Sequence, residues 1–148
     1  METSDPLSAL GAKDIAKRAA GARDLSLVGT TAHLELLATV AGTDPSPGVR
    51  LTAAAAAADI LSRHRLGSAR SALDADARSD IGAWFRRIDP AHNPGVFSVF
   101  ACLDSPAGMT AIVGGLRDPR GDVRLGAGVG LMRLCCSAAR IGDEDLES

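Results

Sequence analysis

Aromatic side chains are scarce in this chain. Phe, Trp and Tyr together make 3% of 148 residues, and tyrosine is absent. A core closed without them must use smaller side chains, which lets helix backbones approach one another. Lysine is scarce too, with two against fourteen arginines; this reads as GC-rich, bacterial coding rather than as a binding signal. The formal charge of −2 lacks the net basic footprint of a nucleic-acid binder, so nucleic acid is not an expected partner. There are three cysteines, Cys102, Cys135 and Cys136, an odd number without framework spacing, which argues against a secreted disulfide scaffold. Adjacent Cys135 and Cys136 would point about 100° apart on a helix and would not serve one metal. All three are expected to be small buried hydrophobes. No run reaches membrane-span length without charges or helix breakers, and METSDPLSAL has neither the basic nor the apolar region of a signal peptide. The expectation is a cytoplasmic protein with no membrane partner.

What the chain does have is alanine and glycine. Hydrophobic residues make 46% of it, enough for one domain with a real core, and alanine is the best helix former. One octet is written twice. Residues 44–51 read DPSPGVRL and residues 118–125 read DPRGDVRL, matching at five of eight positions. After the first octet, Val49, Ala53, Ala56, Ala57, Ile60, Leu61 and His64 share one helical face. Adding 74 to each number gives Val123, Ala127, Gly130, Leu131, Leu134, Cys135 and Ala138, again apolar or small. An apolar helical stretch precedes each octet, with Leu36, Leu37 and Val40 before the first and Ile112, Val113 and Leu116 before the second. Ser105 followed by Pro106 is a helix start. The unit is therefore helix, Asp-Pro turn, helix.

A worn copy lies between the two. Ile81, Trp84, Phe85 and Ile88 share a helical face, DPAHNPGV follows with a turn two residues longer, and FSVFACL makes a short second helix. Phe97 stands where the outer copies carry arginine. The expected organisation is a leading helix over about 7–24 with a connector over 25–29, pairs over about 30–66, 72–103 and 105–140, and a solvated, frayed acidic tail over 141–148. Helical pairs at about this period predict an all-α solenoid rather than a compact bundle.

These residues resemble a HEAT repeat protein, whose turn and second helix start as D-x-x-x-x-V-R-x-x-A. Asp44, Val49, Arg50 and Ala53 match, and Asp118, Val123, Arg124 and Ala127 match again. The resemblance covers about residues 30–140 and implies a short right-handed α-solenoid of about three hairpins. Asp44, Arg50, Asp118 and Arg124 are then structural joints. Each aspartate is placed to cap the second helix, and each arginine to reach the aspartate of a neighbouring repeat.

Little in the sequence carries chemistry. His33, His64 and His92 lack ligand spacing, so no metal, cofactor or catalytic residue is expected. The resemblance to HEAT-type hydroxylases fails for want of a His-Glu pair. GAGVG over 126–130 has no preceding strand and no following Gly-Lys, so Gly126 and Gly130 are expected to serve close helix packing. The four aromatics lie between positions 84 and 100, chiefly as core. Trp84 and Phe85 cannot face the same way, which leaves one of them as a candidate anchor. Arg86 and Arg87, with Arg63, Arg65 and Arg70, are largely offset by Asp74, Asp76, Asp80 and Asp89. The expected function is recognition of a partner protein by an adaptor or regulatory subunit, not enzymatic, with the second helices lining a concave surface. Trp84, Arg86 and Arg87 are the candidate contacts. The alternatives are nucleic-acid binding and a small HEAT-type lyase or chaperone-like subunit.

Overall fold

The computed structural model describes the backbone of residues 5–66, 73, 75–103 and 105–147, with side chains for the same residues except 65, 66 and 137–147. Arg65, Arg70, Asp74 and Ala138 therefore lie outside the described side chains. The described residues form eight α-helices and no strand: α1 (Pro6–Leu10), α2 (Ile15–Val28), α3 (Leu34–Thr43), α4 (Pro47–Leu66), α5 (Ala75–Arg86), α6 (Val96–Cys102), α7 (Pro106–Leu116) and α8 (Gly121–Glu147). A single 3-10 turn, Thr31–His33, leads into α3.

Capping residues set the helix starts. Ser105 Oγ accepts from Gly108 N at 3.0 Å, with Pro106 at the first helical position of α7. Asp14 does the same for α2, accepting from Ala16 N at 2.9 Å. That cap corrects the expected leading helix, which is in fact two: α1 stops at Gly11, α2 restarts after Asp14, and the supposed connector from Leu25 is the last turn of α2. The backbone of the expected acidic tail is helical to Glu147, and its side chains lie outside the described residues.

The helices touch in sequential pairs, α1 with α2, α3 with α4, α5 with α6 and α7 with α8. The second member of each pair touches the second member of the next, along α2, α4, α6 and α8, and α3 also touches α5. Small residues make these contacts possible. Val49, Ala53, Ala56, Ala57, Ile60 and Leu61 of α4 are all buried, and His64 is half-buried. A Cβ on Gly126 would stand 2.7 Å from Pro94 O, and one on Gly130 would stand 2.7 Å from Phe97 O. Both glycines therefore mark places where α8 lies against the backbone that leads into and begins α6.

Neighbouring glycines in α7 make a sharp comparison. A Cβ on Gly115 would meet Phe97 Cζ at 2.5 Å and Ala127 Cβ at 2.8 Å, whereas one on Gly114 would meet nothing within 4 Å. Gly114→Ala is expected to stabilise the protein by about 0.5–1 kcal/mol through helix propensity. Gly115→Ala is expected to destabilise it by about 1–3 kcal/mol through overpacking. Urea denaturation of the two variants checks the opposite signs.

The α8 face is buried only in part. Val123, Ala127 and Gly130 are buried and Leu134 is half-buried, but Leu131 and Cys135 are exposed. The cysteine expectation is corrected with it. Cys102 is buried, its sulfur 3.2 Å from Ser62 Oγ, whereas Cys135 and Cys136 are exposed. They belong to the last helix of the row, and no later helix covers it among the described residues. The first helices bury one side only. Leu37 and Ile112 are buried, while Leu36, Val113 and Leu116 are exposed.

Candidate partner-binding grooves

The two octets have nearly the same geometry. Asp44 Oδ1 accepts from Ser46 N at 2.9 Å, and Asp118 Oδ1 accepts from Arg120 N at 2.8 Å. Arg50 Nη1 donates to Asp44 O at 2.8 Å and Pro45 O at 3.3 Å. Arg124 Nη1 donates to Asp118 O at 2.9 Å and Pro119 O at 2.8 Å. Val49 and Val123, which open the apolar faces, are buried.

The arginines thus differ from the expected pairing with a neighbouring aspartate, although Arg50 Nε also donates across to His92 O of the middle turn at 3.3 Å. Each folds back over its own turn because a helical side chain leans toward the helix N-terminus, where turn carbonyls lack intrahelical donors. Other arginines link successive pairs. Arg18 of α2 donates to Asp44 through Nε at 2.9 Å and Nη2 at 3.3 Å, with both side chains largely buried. Arg120 reaches Asp89 at 3.3 Å while holding its own Asp118. Hydrogen bonds from the Arg120 side chain and backbone bring the Asp118 carboxyl down to about 2.

The longer middle turn does work that the sequence did not show. Asn93 is fully buried, and its Nδ2 donates to Ala41 O at 3.0 Å and Arg50 O at 2.8 Å. Its Oδ1 accepts from Gly95 N at 3.0 Å. His92 Nε2 lies 3.0 Å from Gly42 O, which makes Nε2 the protonated nitrogen. Ala41 and Gly42 sit in the last turn of α3, where carbonyls lack intrahelical partners. The inserted residues therefore cap the first helix of the preceding pair. The only signal in the sequence was the two-residue difference in turn length.

Trp84 and Arg87 come together; Arg86 does not join them. A groove of about 620 Å³ runs between α3 and α5 and is lined by Glu35, Thr39, Trp84, Arg87, Asp89 and His92 among others. Trp84 is half-buried, whereas its neighbour Phe85 is fully buried. Arg86 turns to the other side of α5, donates from Nε to Gly82 O at 3.2 Å, and lines a smaller cleft with Arg78 and Phe100. Residues one apart on a helix diverge by about 100°, which separates the two arginines. The candidate groove lies between first helices, not on the second-helix side expected from the sequence.

A second groove, of about 550 Å³, does lie on the second-helix side. Leu51 of α4 and Leu125 and Val129 of α8 form its walls, with Pro94 and Gly95 at its floor. Beyond it Arg133 of α8 pairs with Asp59 of α4 at 3.1 Å, between positions 74 apart. Among the described residues, no group of three His, Cys, Asp or Glu side chains could hold a metal ion. No described helix is long and apolar enough to cross a membrane. No protein-family model, curated protein or solved structure matches the chain.

Proposed function

We propose that the chain is a short right-handed solenoid of HEAT-like helical pairs that binds a partner protein, as an adaptor or regulatory subunit. The succession of second helices α2, α4, α6 and α8 and the shared geometry of the two octets support the solenoid reading. The groove between α3 and α5 carries the functional reading. It offers a half-exposed tryptophan beside an exposed arginine, the residue types that dominate protein-binding hot spots. Glu35 and Asp89 stand on the same groove, so its charge is mixed. That suits a polypeptide bearing both signs and disfavours a phosphate backbone.

The test is affinity capture from a lysate of the source organism. Trp84→Ala and Arg87→Glu are each expected to weaken capture of the same protein at least about ten-fold, in the range of hot-spot truncations. Arg86→Glu, on the far side of α5, is expected to leave it unchanged. Equal capture by wild type, Trp84→Ala and Arg87→Glu overturns the groove assignment. A salt-dependent shift of duplex DNA at low ionic strength would favour the nucleic-acid reading instead.

A further inference from the structure

The arginines of this chain divide by what they hold. Arg18, Arg120 and Arg133 pair with carboxylates, while Arg50, Arg63 and Arg124 donate to backbone carbonyls. Arg78 and Arg86 do neither with their Nη groups. Both are exposed, and no carboxylate pairs with either among the described residues. Arg86 is tethered only through Nε, which donates to Gly82 O. Arg78, Gly82 and Arg86 stand four apart on one face of α5. A Cβ on Gly82 would lie 3.2 Å from Arg86 Nη2, so the Arg86 side chain folds back over the glycine toward Arg78.

The face they share borders a gap. α3 packs against α5, but no comparable contact joins α5 to α7. Between α5 and α7 lies a cleft of about 290 Å³, with Arg78 and Arg86 on one wall, Phe100 and Leu103 at the floor and Ser105 opposite. Its described lining holds no carboxylate. Ser105 Oγ accepts from Gly108 N, so its own hydroxyl proton is free to be donated. Beyond Arg86 the gap continues as an apolar hollow of about 260 Å³, lined by Phe97, Ala111, Gly114 and Gly115, with Asp118 at its far end.

We propose that this cleft binds a phosphate monoester, the phosphorylated side chain of an extended segment of a partner protein. Such a phosphate carries a charge of about −1.5 to −2 near neutrality, which two guanidiniums match. Its oxygens point to the corners of a tetrahedron and take donors from several directions, as Arg78, Arg86 and the Ser105 hydroxyl offer them. A planar carboxylate would fill one guanidinium fork and leave the other unused. The adjoining hollow is apolar, and it receives the residue next to the phosphorylated one. Nucleic acid fits less well, because a further phosphate along the groove would approach Asp118. Neither Arg78 nor Arg86 lines the Trp84 groove, so the two sites stand or fall separately.

The test is isothermal titration calorimetry on the 148-residue chain with acetyl-Leu-phosphoSer-Leu-amide, the same tripeptide without phosphate, and inorganic phosphate. The phosphotripeptide is expected to bind in about the millimolar range or tighter, more weakly at high salt, and the unphosphorylated one not at all. Arg78→Gln and Arg86→Gln each remove one charge from an exposed position, and each is expected to weaken binding at least about ten-fold. Thermal denaturation checks that both variants are folded. Trp84→Ala and Arg87→Gln, on the other side of α5, are expected to leave binding unchanged. Gly114→Leu adds a side chain where a Cβ meets nothing within 4 Å, and so fills the hollow. It is expected to weaken the phosphotripeptide and to leave inorganic phosphate unaffected. No binding of the phosphotripeptide up to about 10 mM overturns the proposal, as does equal binding of the two tripeptides. Binding left unchanged by Arg78→Gln or by Arg86→Gln overturns it too. Inorganic phosphate held as tightly as the phosphotripeptide overturns the protein segment as occupant and assigns the cleft to a free anion. Duplex DNA that binds at low salt and is released by the same two substitutions overturns it in favour of nucleic acid.

Discussion

Phe97→Arg, which makes the middle copy match its two neighbours in sequence, is expected to abolish stable folding. In the outer copies the residue after the buried valine is Arg50 or Arg124, and its guanidinium satisfies the carbonyls of the Asp-Pro turn five and six residues earlier. In the middle copy that need is met otherwise. Asp89 O already accepts from His92 N at 2.8 Å and from Asn93 N at 3.0 Å, bonds made by the longer turn itself. The position is then free to enter the core. Phe97 is buried, meets Phe100 edge to face at 6.2 Å, and lays its ring tip where a Cβ on Gly115 would be. An arginine here brings a charge into the apolar packing beside Phe100 and Gly115, with the turn carbonyl it would seek already bonded. A buried charge without a partner costs several kcal/mol, comparable to a whole domain's stability. Phe97→Ala removes the ring alone and is expected to cost about 3–5 kcal/mol. Urea denaturation followed by far-UV circular dichroism separates the two. Phe97→Ala should show a weakened but cooperative transition, and Phe97→Arg none. A Phe97→Arg protein that unfolds at the wild-type midpoint would contradict the buried position of this ring.

How far the sequence could be read depends on what kind of signal each feature leaves. The α4 face was legible because burial by one neighbouring layer repeats at helical spacing, and Val49, Ala53, Ala56 and Ile60 keep that spacing. The same spacing in α8 names a face without saying whether anything covers it. Hence Leu131, Cys135 and Cys136 were expected inside and are exposed. The direction of Arg50 and Arg124 was missed because an aspartate is the more obvious partner, while unsatisfied turn carbonyls are invisible in a one-letter string. In the candidate groove, Trp84 stood out as the lone tryptophan, but Glu35 comes from α3 while Asp89 and His92 come from the turn between α5 and α6. Their convergence depends on α3 lying against α5, which no local pattern encodes. The middle turn is the clearest case. Two additional residues look like wear in an alignment of copies, yet their side chains reach carbonyls about fifty positions away.

Asn93→Asp, a change of one atom type, is expected to cost about 3–5 kcal/mol at neutral pH, more than Asn93→Ala at about 1–3 kcal/mol. Which end of the amide faces which group decides the loss. Oδ1 accepts from Gly95 N, so Nδ2 must be the end that faces Ala41 O and Arg50 O, and both of those are acceptors. Aspartate keeps the shape and the bond from Gly95 N but puts an oxygen about 3 Å from two carbonyl oxygens. Ionised, it is repelled by both and has no water to turn to, because the site is fully buried. Protonated, it can donate to one of them. Its folded-state pKa must therefore rise above the unfolded value of about 3.9. A raised pKa favours the folded state in acid and costs stability as pH rises, so the deficit relative to wild type should begin near that value and grow toward neutrality. Alanine leaves Ala41 O without its donor at every pH, so its deficit should stay flat. The two curves are thus expected to converge below about pH 4 and to separate above it. Denaturation midpoints of the three proteins across that range decide the matter. Equal losses for Asp and Ala at neutral pH would mean that the amide stands the other way round, and that the inserted turn does not cap α3.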